Sequence, residues 1–147
     1  MDNVSALAYI NNEFSNGFCI TYACCSEVSE LGIGSMATVY ICVDIVGDVR
    51  DYQPTTLADT IVCCEVLEHD PRPLEIVEAA RRLLCVGGKI ILTCATDPRE
   101  PHEPFPCKNI DPAELVKYMR KGGWVISTVH WSRKRGDLFI IGRHREC

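Results

Sequence analysis

Three ionisable side chains follow one another closely in the middle of the chain, and their types suit proton transfer. Glu65, Glu68 and His69 come directly after the apolar run of residues 60–64. Histidine has an unperturbed pKa near neutrality, so His69 is the best candidate for a general base. We therefore predict that the chemistry lies here, with His69 either as the general base or as part of the cap of the helix that follows.

Two strands and one helix are predicted to position these side chains. Residues 60–64 and 89–93 are short β-branched apolar runs, which are typical of buried strands in a parallel sheet. Between them, the segment Asp70-Pro-Arg-Pro73 predicts the start of a helix, with Asp70 able to cap it and the prolines tolerated in its first turn. Gly87-Gly88 predicts the end of this helix. The three ionisable side chains would then lie at the carboxyl edge of the sheet, where open α/β folds bind ligands.

The remaining segments complete an α/β fold with a mainly parallel sheet. Asp111-Pro-Ala-Glu114 carries the signals of a helix start, and the glycines at 122 and 123 predict its end. Residues 124–131 and 137–141 lie too close in sequence for a crossover, so they must pair as an antiparallel hairpin. We also predict a helix over residues 5–14, strands over 18–25 and 38–46, a short strand near 48–52, and an irregular proline-rich loop over 96–110.

The charge of the chain excludes some classes of partner. A formal net charge of −5 argues against non-specific binding of nucleic acid or of an anionic membrane. A basic cluster near the end of the sequence is interpreted as a solvated hairpin tip and tail. The cluster comprises Arg133, Lys134, Arg135, Arg143, His144 and Arg145.

Ten cysteines invite a disulfide or zinc interpretation, but their spacing does not support it. Cys24-Cys25 and Cys63-Cys64 are adjacent pairs, and the sequence contains no C-x-x-C motif. We interpret most of them as small buried hydrophobic residues in a reducing compartment, and we predict no metal site. The sequence shows no signal peptide and no long apolar span, so a cytoplasmic location is expected.

A stretch of roughly forty residues resembles the class I S-adenosylmethionine-dependent methyltransferases, in particular small members of the type 11 and type 12 groups. The resemblance implies a single Rossmann-like domain over residues 1–147, S-adenosylmethionine as the cofactor and methyl transfer as the reaction. The matching residues are Asp59, Val62, Glu65, Val66, Leu67, Glu68 and His69, then Arg82, Leu84, Gly87 and Gly88, then residues 90–93.

The same resemblance implies roles for individual side chains. Asp44, after the predicted second strand, would accept hydrogen bonds from the ribose hydroxyls of the cofactor, a place that suits a carboxylate in nucleotide-binding sheets. Asp48 or Asp51 would contact the adenine amino group, although either is equally compatible with a turn aspartate. Glu65 would face the cationic sulfonium or the acceptor, or bind nearby backbone amides. His102 lies in the loop that covers the acceptor pocket in the family.

The turn after the first predicted strand departs from the family pattern. The family has a glycine-rich turn there, whereas residues 21–27 contain no glycine, so Cys25 and Ser26 would lie against the cofactor. Two hypotheses follow: a methyltransferase with a modified first loop, or a pseudoenzyme of the same fold that serves as a protein-binding or regulatory module. Expected partners are a small-molecule or protein acceptor, with no nucleic acid or membrane, and self-association as an open alternative.

Overall fold

The computed structural model describes residues 48–53, 57–97, 100 and 108–145, together with the backbone of residues 18–23 and 39–42. Several predicted features lie outside these residues and stay predictions. They are the opening helix over 5–14 and the side chains of Cys25, Ser26, Asp44 and His102.

Six strands form one sheet in the order β2-β1-β3-β4-β6-β5. Strands β1 to β4 run parallel, and β6 is antiparallel to both of its neighbours, β4 and β5. The predicted α/β fold, a mainly parallel sheet closed by a C-terminal antiparallel hairpin, is therefore confirmed. The strands are β1 (Phe18–Ala23), β2 (Val39–Cys42), β3 (Ala58–Cys64), β4 (Leu84–Ala95), β5 (Trp124–Ser132) and β6 (Asp137–His144).

Two amphipathic helices cover one face of the sheet. Helix α1 (Pro73–Leu83) buries an apolar stripe at helical spacing that includes Ile76, Ala80 and Leu83. Helix α2 (Pro112–Lys121) buries Leu115 and Met119 in the same core cluster. No helix within the described part of the chain is long and apolar enough to span a bilayer.

Helix α2 begins as its sequence predicts. The Asp111 side chain accepts hydrogen bonds from the backbone N–H groups of Ala113, at 2.8 Å, and Glu114, at 3.1 Å. These bonds satisfy two of the amides that have no partner within the helix. Pro112 occupies the first turn, and the helix ends at Lys121, directly before Gly122.

Helix α1 begins at Pro73, within the predicted entry segment 70–73, whereas its predicted cap and its predicted end are wrong. The cap position belongs to Arg72 and not to Asp70, whose carboxylate accepts from the Arg72 N–H at 2.7 Å and also binds Arg50. The helix also stops at Leu83, before the glycines, because Leu84 is extended and already pairs with Ala58 of β3. A register shift follows, and the regular ladder resumes at Lys89, where the predicted strand begins.

Residues 48–51 form a turn where a short strand was predicted. The Asp51 N–H donates to the Asp48 carbonyl at 3.1 Å, and the Arg50 N–H donates to the Asp48 carboxylate at 2.8 Å. An aspartate that bonds its own backbone two residues on favours a turn over an extended strand.

The four cysteines whose side chains the structure describes are free thiols. Cys63 and Cys94 are buried in the core as predicted, and burial raises the pKa of each thiol well above its usual value. Cys64 and Cys85 are only partly buried. Thiols held neutral in this way are poor nucleophiles, so Cys63 and Cys94 act as packing residues.

Gly88 lies where the backbones of β3 and β4 come together, so a methyl group there is expected to destabilise the fold. A Cβ atom on Gly88 would approach the Cys85 carbonyl oxygen to 2.9 Å and the Ala58 carbonyl oxygen to 3.2 Å. Gly88→Ala should lower the free energy of unfolding by about 1 to 3 kcal/mol in urea denaturation. The control is Gly122→Ala, whose Cβ would lie 3.4 Å from its nearest neighbours. Equal stability of the two variants would contradict the expectation.

Candidate active site

Glu65 leaves the carboxyl end of β3 in a conformation that is costly for its residue type. Its φ is +52°, and within the described residues it is the one non-glycine residue with positive φ. Its N–H still donates to the Thr93 carbonyl of β4 at 3.0 Å, so the sheet holds the residue in place. Left-handed backbone at a non-glycine residue costs roughly 1 to 2 kcal/mol and is found most often at functional sites.

Glu68 follows in a single 3₁₀ turn (Leu67–His69) and is completely buried. Its Oε1 atom accepts a hydrogen bond from the Ala95 N–H at 3.0 Å. Its Oε2 atom has no hydrogen-bond partner within the described part of the chain. A buried polar atom without a partner is uncommon in folded proteins, and it marks Glu68 as more than a packing residue.

Burial, together with the negative charge of the neighbouring Glu65, raises the pKa of Glu68 to about 8. Two carboxylates at close range in a poorly solvated place cannot both ionise cheaply. Glu68 is therefore mainly protonated at neutral pH. Such a group can donate a hydrogen bond, or it can release its proton when a positive charge arrives.

Glu68 also joins three segments at this edge of the sheet. Its side chain binds the end of β4, and its backbone carbonyl accepts from the Lys108 N–H at 2.6 Å. Beside it, the Ile110 N–H donates to the Ala95 carbonyl at 2.9 Å, and Thr96 forms a parallel bridge with Ile110. The loop that leaves β4 therefore returns to the same point of the sheet.

His69 ends the 3₁₀ turn and is partly buried. The three predicted residues Glu65, Glu68 and His69 thus all follow the carboxyl end of β3, and Glu65 and Glu68 lie close enough to interact. Within the described ranges, no three His, Cys, Asp or Glu side chains converge in an arrangement that would hold a metal ion.

Arg50 is the centre of a second charged group beside this edge. Its guanidinium binds Asp70 through two hydrogen bonds, of 2.9 and 3.1 Å, and donates to both carboxylate oxygens of Asp48. The side-chain hydrogen bond from Arg50 lowers the pKa of Asp48, and the two carboxylates together raise the pKa of Arg50. Asp48 is thus already engaged, whereas Asp51 is exposed and outside this network.

The role of Glu68 could be suspected only indirectly from the sequence. It follows the apolar residues Val66 and Leu67, but glutamate is rarely buried completely, so the sequence favoured an exposed side chain. The contact between Arg50 and Asp70 joins residues 20 positions apart, and no local pattern predicts it.

Solved structures of similar topology identify the fold. The N-methyltransferase NodS from Bradyrhizobium japonicum WM9 matches with a TM-score of 0.70 at 12% identity, over 97% of this chain and 94% of that chain. Magnesium protoporphyrin IX methyltransferase (ChlM) from Synechocystis PCC 6803, with bound S-adenosylhomocysteine, matches with a TM-score of 0.69 at 15% identity, over 97% and 81%. This chain has the class I methyltransferase fold.

The class I methyltransferase fold is not confined to methyltransferases. The [4+2]-cyclase SpnF matches with a TM-score of 0.68 at 11% identity, over 98% of this chain and 80% of that chain. No protein-family model and no curated protein matches the sequence. The fold is therefore shown, and the activity has to be argued from the residues of the site.

Proposed function

We propose that this protein transfers a methyl group from S-adenosylmethionine to a small-molecule acceptor. The observation that carries the proposal is the acidic pair Glu65 and Glu68 at the carboxyl edge of a class I methyltransferase sheet. When bound, S-adenosylmethionine supplies a methyl group on a cationic sulfur that is a good leaving group. The solved relative ChlM, which contains S-adenosylhomocysteine, supports the same class of cofactor.

The acidic pair fits a cationic ligand. Burial, together with the negative charge of Glu65, keeps Glu68 protonated, and Glu68 Oε2 has no hydrogen-bond partner among the described residues. A positive charge bound nearby would relieve the repulsion and favour the ionised pair. A neutral ligand would leave this repulsion unchanged, and an anionic ligand would increase it.

Four other side chains would hold the cofactor. We assign the ribose hydroxyls to Asp44 and the adenine amino group to Asp51, because Asp48 is engaged by Arg50. Cys25 and Ser26 would lie against the remainder of the cofactor.

Alignment of the acceptor with the methyl group provides much of the rate in such a transfer. His69 would accept the proton that an oxygen or nitrogen acceptor loses. The loop over residues 96–110, with His102, would close the acceptor pocket. The hydrogen bonds at its base would fix where this loop begins and ends.

Binding of S-adenosylhomocysteine, measured by calorimetry and thermal shift, tests the cofactor assignment. We expect saturable binding and about 2.7 kcal/mol of stabilisation at a hundredfold excess over the dissociation constant. Asp51→Asn should weaken binding by about tenfold, because a neutral amide oxygen is a weaker acceptor for the adenine amino group than a carboxylate is. The matched control is Asp59→Asn, at the opposite end of β3, where the side chain is exposed.

A second candidate function is a pseudoenzyme that serves as a protein-binding or regulatory module. The glycine-free turn over residues 21–27 favours it, since side chains there would obstruct the approach of a cofactor to the backbone. The absence of any thermal shift at millimolar S-adenosylhomocysteine would support this candidate and refute methyl transfer.

A further inference from the structure

The turn between β5 and β6 carries three consecutive basic residues on an otherwise acidic chain. Arg133, Lys134 and Arg135 are all exposed, and the formal net charge of the chain is −5. The sequence alone favours a solvated hairpin tip. The tip is exposed as expected, and its contacts also attach it to the end of β4, beside the candidate active site.

Two hydrogen bonds attach the tip to the end of β4. The Thr96 N–H donates to the Gly136 carbonyl at 2.7 Å. The indole N–H of Trp131 donates to the Thr96 hydroxyl at 3.0 Å. A hydrogen bond within the turn also stabilises it, since the Gly136 N–H donates to the Ser132 carbonyl at 2.7 Å. Gly136 has a φ of +72°, which glycine adopts without strain. The basic residues are therefore presented from a fixed position.

The residue before Thr96 leads directly to the buried acid. Ala95 donates its N–H to Glu68 Oε1, while Thr96 binds both Trp131 and Gly136. Consecutive Cα atoms lie about 3.8 Å apart, so one short backbone segment holds the acidic pair on one side and the basic tip on the other. The tip thus forms part of the rim of the same edge.

The charges of the tip are only partly compensated. Arg135 lies 3.6 Å from the Asp137 carboxylate and also bonds Ser132. Arg133 stacks over the Trp131 ring, with its guanidinium carbon 5.0 Å from the ring centroid, which orients its donors without neutralising them. Among the described residues, neither Arg133 nor Lys134 forms an ion pair. Two positive charges therefore remain available to a ligand.

We propose that Arg133, oriented by Trp131, and the neighbouring Lys134 form a subsite for a phosphate group of the methyl acceptor, which would be a small phosphorylated molecule. A phosphate monoester carries about −1.5 to −2 charges at neutral pH, which matches two cations better than a single carboxylate does. Arginine offers a planar fork of donors to phosphate oxygens, and lysine adds a point charge. The identification of the bound molecule as the acceptor rests on the proposed function, whereas phosphate binding itself does not.

Titration with inorganic pyrophosphate at constant ionic strength tests the subsite. Calorimetry measures the affinity, and the fluorescence of the partly exposed Trp131 reports binding at the tip. The double variant Arg133→Gln/Lys134→Gln should bind at least tenfold more weakly. The matched control is Arg120→Gln/Lys121→Gln, which removes two exposed cations from the end of α2, remote from the tip. It should bind like the unmodified chain, because surface charges this far apart are screened by salt.

The subsite is supported if pyrophosphate binding is lost in Arg133→Gln/Lys134→Gln and kept in the control variant. Equal affinities of the tip and control variants would overturn it, and so would the absence of any saturable binding. Succinate that binds as tightly as pyrophosphate would overturn the choice of phosphate. S-adenosylhomocysteine binding, measured in parallel, should be the same in all three proteins, so failure of the cofactor assignment is distinguished from failure of the subsite.

Discussion

Replacement of Glu68 by glutamine is expected to remove most of the pH dependence of stability between about pH 5 and pH 8. The fold raises the pKa of Glu68 from 4.5 to about 8, so in this range the folded chain holds a proton that the unfolded chain has lost. The stabilising contribution is fully present below pH 4.5 and is lost as the pH rises through about 8. Glutamine is neutral at every pH, so the variant should not show this loss.

The expected size makes the effect easy to measure. Each tenfold change in proton affinity is worth about 1.4 kcal/mol, so a rise in pKa from 4.5 to about 8 amounts to about 5 kcal/mol as an upper bound. Urea denaturation at pH 5, 7 and 8.5 should show similar stability at pH 5 and a more stable Glu68→Gln variant at pH 8.5. Glu100→Gln, at an exposed position, serves as the control and should follow the unmodified chain. A Glu68→Gln variant with an unchanged pH profile would contradict the assignment.

Removal of the Glu65 carboxylate is expected to weaken S-adenosylmethionine binding about tenfold while leaving S-adenosylhomocysteine binding almost unchanged. The two ligands differ in charge at sulfur, and only the cationic one gains from a nearby carboxylate. Both Glu65→Ala and Glu65→Gly should show this change, and calorimetry with each ligand measures it. An equal loss of affinity for both ligands would mean that Glu65 does not recognise the positive charge.

The same two variants separate the carboxylate from the backbone strain. At φ +52°, alanine keeps the steric cost of the left-handed conformation, whereas glycine does not. Glu65→Gly should therefore be more stable to urea than Glu65→Ala by about 1 kcal/mol. If alanine proved equally stable, the conformation at this position would not be strained.

Local signals in the sequence predicted the elements whose ends are set by nearby residues. Helix α2 begins at the aspartate cap and ends before the glycines as expected, because capping and termination act within a few residues. The β5–β6 hairpin followed from the short connection between its strands. The strand at residues 60–64 and the acidic edge after it were also predicted, since β-branched runs of this length are typical of buried parallel strands.

Long-range contacts decided the features that the sequence did not reveal. Helix α1 stops at Leu83 because Leu84 pairs with Ala58, a residue far away in sequence. The burial of Glu68 depends on the end of β4, and the position of the basic tip depends on a contact between Trp131 and Thr96. Helix and strand propensities and the spacing of apolar residues depend on neighbours along the chain, so they do not predict such contacts.

The hydrogen bonds that join Ala95 and Thr96 to Ile110 have a consequence for how this protein can diverge. They close the base of the loop that follows β4 at a point where the sheet is already complete. The entropic cost of closing a loop rises by only about 0.6 kcal/mol for each doubling of its length. Insertions and replacements between residues 96 and 110 should therefore destabilise the fold only slightly. The loop that is proposed to bind the acceptor can change in sequence and length while the sheet and its acidic edge are kept.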